Sequence, residues 1–143
     1  FGTRGTDDPS GNFAPVGNHG WYPKSGRKAR YDQQPLEAAA MIGASTEAYQ
    51  CTQREEWVQL ASKCFNWYLG KNDQQLNLYD HATGGCRDGL MRNGVNENQG
   101  AESTLSYLNS LLAIYNLRGL TASHNHIVES DTDKHPVAQP DAA

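Results

Sequence analysis

The sequence predicts an all-α fold built from αα-hairpins with long polar loops. Three observations carry the helical part of that prediction. Large side chains recur at helical spacing over residues 53–69, a second apolar-periodic stretch covers about 101–118, and a segment dense in small residues runs from Pro35. No period-two alternation competes with them, so no strand is expected.

Residues 1–30 mix glycine, proline, asparagine and aromatics without a sustained period and read as an ordered loop segment or a linker. The chain opens on Phe1 in glycine-rich polar sequence, which suggests a start inside a longer reading frame. The first helix is expected from Pro35, because proline suits the first helical position, with Asp32 upstream as a cap. It runs through "PLEAAAMIGASTEAYQ", whose small residues permit close helix approach.

For the second helix, Thr52 and Glu55 have the spacing of a capping box. Trp57, Leu60, Ala61, Cys64, Phe65 and Tyr68 then fall on one face, and Gly70 is placed to end the helix. Trp57 and Phe65 are its expected core anchors. Only a tight turn fits between the two helices, so they form an αα-hairpin. Residues 71–99 form a long loop with a short extended piece at Leu76–Tyr79, and a loop of that length in a compact domain is usually functional. The third helix covers about 101–118, with Leu105, Leu108, Leu112 and Tyr115 as its core stripe and Gly119 as terminator. The helical domain is thus residues 1–119; residues 120–143 are polar, proline-bearing and aperiodic, the composition of a disordered tail.

The length of 143 residues suits one domain with a modest core. A formal charge of −4 gives no electrostatic footprint for nucleic acid or an anionic membrane. No apolar run approaches the roughly 20 residues of a membrane span, and no cationic-apolar leader is visible. Cys51, Cys64 and Cys86 are odd in number and lack CxxC spacing, so reduced thiols in a cytoplasmic protein are expected, with Cys51–Cys64 the single conceivable bridge. His124 and His126 form an isolated HxH, too little for a metal site. The stretch "GTRGTDDPSG" lacks the lysine and the strand context of a phosphate loop, so no nucleotide site and no cofactor is expected.

The polar residues collect in three segments next to helix ends: Asn18–Pro35, Leu78–Leu90 and Gly94–Thr104. Together they hold Asp32, Glu37, Asp80, Asp88, Glu97 and Glu102, with Arg30, Arg87, Trp21, Tyr22 and Tyr79. Aromatic platforms, carboxylates and amides are what a sugar site requires, because pyranose faces stack on rings and hydroxyls need both donors and acceptors. Cleavage of a glycosidic bond uses two carboxyl groups about 5–10 Å apart. Asp88 and Glu102 are the expected pair, since both sit at loop-to-helix positions among glycine and amide residues. The plainer alternative is that Glu102 favours its own helix dipole and Asp88 shapes its own turn.

The runs "NHGWYPKSGRKARYDQQPLEAAA", "YDHATGGCRDGL" and "GVNENQGAESTLSYL", in that order, resemble the six-hairpin glycosidase-like toroid domain found C-terminal to bacterial glycosyltransferases. The resemblance covers roughly residues 1–118 and implies a partial (α/α)6 toroid, the C-terminal quarter to third of one. It implies saccharide contacts at Trp21, Tyr22, Arg30, Asp32, Gln33, Gln34, Glu37, Asp80, Arg87, Asp88, Asn96, Asn98 and Glu102. It also implies that a homo-oligomer or a missing N-terminal portion completes the ring. The expected function is carbohydrate-active, acting on or binding a saccharide; the alternatives are a non-catalytic sugar-binding or scaffolding module, or an inactive fragment.

Overall fold

A computed structural model describes residues 7–134, with side chains to Ser123. The chain orders as α1 (Pro35–Thr52), α2 (Glu55–Tyr68), β1 (Gly89–Met91), β2 (Gly94–Asn96) and α3 (Ala101–Lys134). This is a small mixed fold of three helices and a two-stranded antiparallel sheet, and it corrects the all-α partial toroid expected from sequence. The strands escaped notice because each is three residues long. Their pairing, Gly89 with Asn96 and Leu90 with Val95, is extended by a bridge from Gln33 to Leu90. Gly89 permits that approach, since a Cβ there would lie 2.6 Å from the Gln33 carbonyl oxygen. The Asn93-Gly94 pair between Leu90 and Val95 was the available turn signal.

Pro35 does open α1, but the cap is Gln34 rather than Asp32. The Glu37 carboxylate accepts the Gln34 backbone N–H at 3.1 Å. Gln53, in the left-handed region at φ 54°, closes α1 by donating its N–H to the Tyr49 carbonyl. Thr52 belongs to α1, so the capping box read from Thr52 and Glu55 does not form; Arg54 precedes α2. Gly70, at φ 90°, turns the chain out of α2, and Asn72 binds the Trp67 and Leu76 carbonyls behind it.

The core lies where α1, α2 and α3 meet under the 71–91 segment. Ala38, Ile42 and Tyr49 of α1 face Ala61, Cys64, Trp67 and Tyr68 of α2, closed by Phe13, Leu78, Cys86 and Leu90. Trp57 and Phe65 only pack against its margin, and Trp67, off the expected stripe, is fully buried. Tyr107 stacks on Tyr79 with ring centroids 4.3 Å apart and on Phe65 at 5.8 Å, tying α3 to the long loop.

Helix α3 departs most from expectation. It passes Gly119 without a break and continues to Lys134, through residues expected to be tail. Its buried side chains are Ser103, Ser106, Tyr107, Ser110, Ile114 and Leu117, whereas Leu105, Leu108, Leu112 and Tyr115 face solvent. Serine can be buried here because it is small and satisfied: Ser110 Oγ donates to the Ser106 carbonyl and lies 3.3 Å from the Tyr68 hydroxyl, which donates to the Pro35 carbonyl. All three cysteines are free; Cys51 is exposed, and burial pushes the Cys64 and Cys86 thiols up to about 12.

Candidate functional site

The three polar segments divide between two centres. The first is built on the ladder that residues 17–21 make with residues 29–32. Gly17 N–H donates to the Ala29 carbonyl, His19 N–H to Tyr31 and Ala29 N–H to Trp21. Gly17 is required there, as a Cβ would stand 2.2 Å from the Tyr31 carbonyl oxygen. The Gln33–Leu90 bridge then carries the β1–β2 turn alongside. The result is a cavity of about 510 Å³ walled by His19, Ala29, Arg30, Tyr31, Asp32 and Arg92, within the usual size range of small-molecule sites. At the end of this ladder Trp21 is 64% exposed, and Tyr22, next in the chain, is 55% exposed.

Arg30 is held from behind. Its Nε and Nη2 both donate to Asp73 Oδ1, at 3.2 and 2.9 Å, and the Asp73 side chain is only 2% exposed. That pairing raises the guanidinium pKa further. The other Asp73 oxygen accepts from Gln33 Nε2, whose own Oε1 accepts the Trp67 indole N–H at 2.8 Å. A chain of bonds thus runs from the buried core out to an exposed cavity wall and fixes Arg30 with Nη1 left over.

The second centre lies at the start of α3. Arg87 donates to Glu97 at 2.7 Å and to Asp80 at 3.3 Å. Gln99 bridges Asp80 and Thr83. The Ala82 N–H, helped by Gln99 and Arg87, holds the Asp80 carboxyl below its ordinary pKa. Asp88 accepts the Gly100 N–H at 2.7 Å and a bond from Asn98 Nδ2. The Ser103 side chain first, then these two donors, depress its pKa. A Cβ on Gly100 would meet Asp88 Oδ1 at 2.9 Å, so the glycine keeps this contact open.

Of the residues singled out in the sequence, Arg30 and Asp32 line the cavity, whereas Trp21, at the end of the ladder, and Tyr22 after it are exposed and outside the cavity's lining. Gln33 has no exposed surface and serves the network beneath. Gln34 and Glu37 are engaged in starting α1, and burial raises the Glu37 pKa against the pull of its backbone hydrogen bonds. Asp80, Arg87, Asp88 and Asn98 bind one another's loops at the second centre, where Asn96 accepts the Asn98 N–H. Glu102 is exposed in the first turn of α3. Sequence reasoning did not single out His19, Tyr31, Arg92 or Asp73. His19 and Tyr31 lay inside the first quoted motif, and Arg92 beside the Asn93-Gly94 turn signal, but Asp73 gave none. No group of three metal-binding side chains occurs among the described residues; the side chains of His124 and His126 lie outside them.

No protein-family model matches the chain, and no curated protein aligns with it significantly. None of the described helices is long and apolar enough to cross a membrane.

Proposed function

We propose that this chain is a saccharide-binding domain whose ligand enters the cavity between His19, Arg30, Tyr31, Asp32 and Arg92. The observation that carries the reading is the make-up of that cavity beside two exposed aromatics. Asp32 supplies acceptors for sugar hydroxyls, Arg30 a donor from the remaining Nη1, and Arg92 a guanidinium fork. Trp21 and Tyr22 offer ring faces at little entropic cost, because each has only two side-chain torsions to fix. The likeness of the three motifs to glycosyltransferase-associated domains favours the same ligand class; the toroid is no part of the proposal.

The reading is binding rather than cleavage. Asp88 is kept ionised by donors that belong to the α3 start, which suits a structural acceptor and not a proton donor. We place the activity in the cytoplasm on the strength of three unpaired thiols.

The test is titration of the parent chain with a panel of mono- and oligosaccharides, followed by amide and indole NMR shifts. Shifts at Trp21, Asp32 and Arg92, lost in Trp21→Ala and Asp32→Ala with the helical circular dichroism intact, are expected. A panel that moves none of these resonances at millimolar sugar overturns the reading.

A further inference from the structure

Among the described residues of α3 six large apolar side chains face solvent, and five of them cluster: Leu105 at 57% exposure, Leu108 at 46%, Leu111 at 43%, Leu112 at 58% and Tyr115 at 75%, with Leu120 at 40% apart from them. Leu105, Leu108, Leu112 and Tyr115 lie about half a turn around the helix from Ser103, Ser106, Tyr107, Ser110, Ile114 and Leu117, which pack into the protein's own core, and Leu111 lies about a quarter turn from that side. Such a patch stands at the upper end of the largest apolar patches that monomers carry, the size at which a patch is often an interaction site.

The spacing is specific. Leu105, Leu108, Leu112 and Tyr115 stand at intervals of three, four and three, the a and d positions of a heptad, with Leu111 flanking them. Thr104, Asn109 and Asn116 occupy the other flanks and carry no charge, so nothing along the seam repels an identical seam. The charged residues, Glu102 and Arg118, fall at its two ends.

We propose that this stripe is where two copies of the chain meet, α3 against α3. The five clustered side chains expose on the order of 500 Å² per copy, so a pair that covers them buries on the order of 1,000 Å², the least that a specific interface needs. A self-complementary stripe of this kind closes under two-fold symmetry, with Leu108 and Leu112 at its centre. Because the core-facing side of α3 is opposite, each copy's body lies on the outside of the helix pair, and the cavity beside Arg30 does not depend on the contact.

Sedimentation velocity over a range of about 1 to 200 μM tests this, with the range set by interfaces of this size. The parent is expected to shift from monomer to dimer with concentration, and Leu112→Glu and Tyr115→Glu to weaken self-association at least tenfold while leaving circular dichroism unchanged. Both substitutions fall on exposed positions, so the fold is retained. A parent that stays monomeric throughout overturns the proposal. So does a dimer that both variants leave intact, because the contact would then lie on another face.

Discussion

The indole N–H of Trp67 donates to Gln33 Oε1 at 2.8 Å, between two residues with no solvent exposure. This bond joins α2 to the segment that carries the candidate cavity, and through Asp73 it reaches Arg30. Gln33→Leu removes its bonds with Trp67, Asp73 and the Arg30 carbonyl at once, stranding a buried indole donor and one oxygen of a carboxylate. An unsatisfied buried group costs about 1–3 kcal/mol. The expected outcome is a loss of that size in urea unfolding, and a freer Arg30 seen as broadened side-chain Nε resonances. A Gln33→Leu chain as stable as the parent would show that the network contributes nothing.

Trp67→Ala is expected to cost about 3–5 kcal/mol, as large aromatic truncations in a core do. Against a total stability of roughly 5–15 kcal/mol, that change threatens folding itself. Trp57→Ala, at the margin of the core, is expected to cost less than half as much. Equal losses in the two variants, measured by denaturant titration, would contradict this placement of the core.

The contrast between the two tryptophans shows what the sequence could convey. Helices α1 and α2 were legible because proline, spacing and the Gly70 stop all point the same way. The apolar face was less so: Trp67 is carried inside by a glutamine 34 positions earlier, a pairing that no local period encodes. In α3 the rule that apolar residues face inward selected the wrong side. Serines at 103, 106 and 110 are what allow α3 to lie close against the other helices, and the Ser110 and Ser103 hydroxyls find acceptors on the helix itself and on the neighbouring loop. The leucine stripe then belongs to a surface whose partner is not written in the chain's own core. The candidate site was legible as composition, since Arg30, Asp32, Trp21 and Tyr22 all lay in one quoted run. That Asp88 and Arg87 would be occupied in holding loops required the fold.

Acid unfolding should report Asp88 and Asp80. Their hydrogen bonds depress both pKa values in the folded state. Such groups contribute stability at pH above their unfolded value near 3.9, and that contribution is lost as pH falls through the lower folded value. Melting temperature is therefore expected to fall between about pH 4 and 2, and to fall less steeply in Asp88→Asn. Glu37 works in the opposite sense, because burial raises its folded pKa, so the informative quantity is the difference between the variant and the parent. Identical acid limbs in the two chains would remove Asp88 from the account.

The two carboxylates once paired by sequence should separate in behaviour. Asp88 receives the Gly100 N–H, Asn98 and Ser103, so Asp88→Ala strips the donors at the start of α3 of their acceptor. Loss of a helix-start acceptor costs about 0.5–2 kcal/mol. Glu102, exposed on the first turn, contributes through the helix dipole alone, a few tenths of a kcal/mol. Neither lines the cavity of Arg30 and Asp32. The expected pattern is a destabilised Asp88→Ala, a near-neutral Glu102→Gln, and unchanged saccharide affinity in both at a temperature where each is folded, whereas Asp32→Ala loses affinity without losing stability. If Asp88→Ala and Glu102→Gln together abolish binding while Asp32→Ala does not, the ligand sits at the start of α3, and the cavity assignment is wrong.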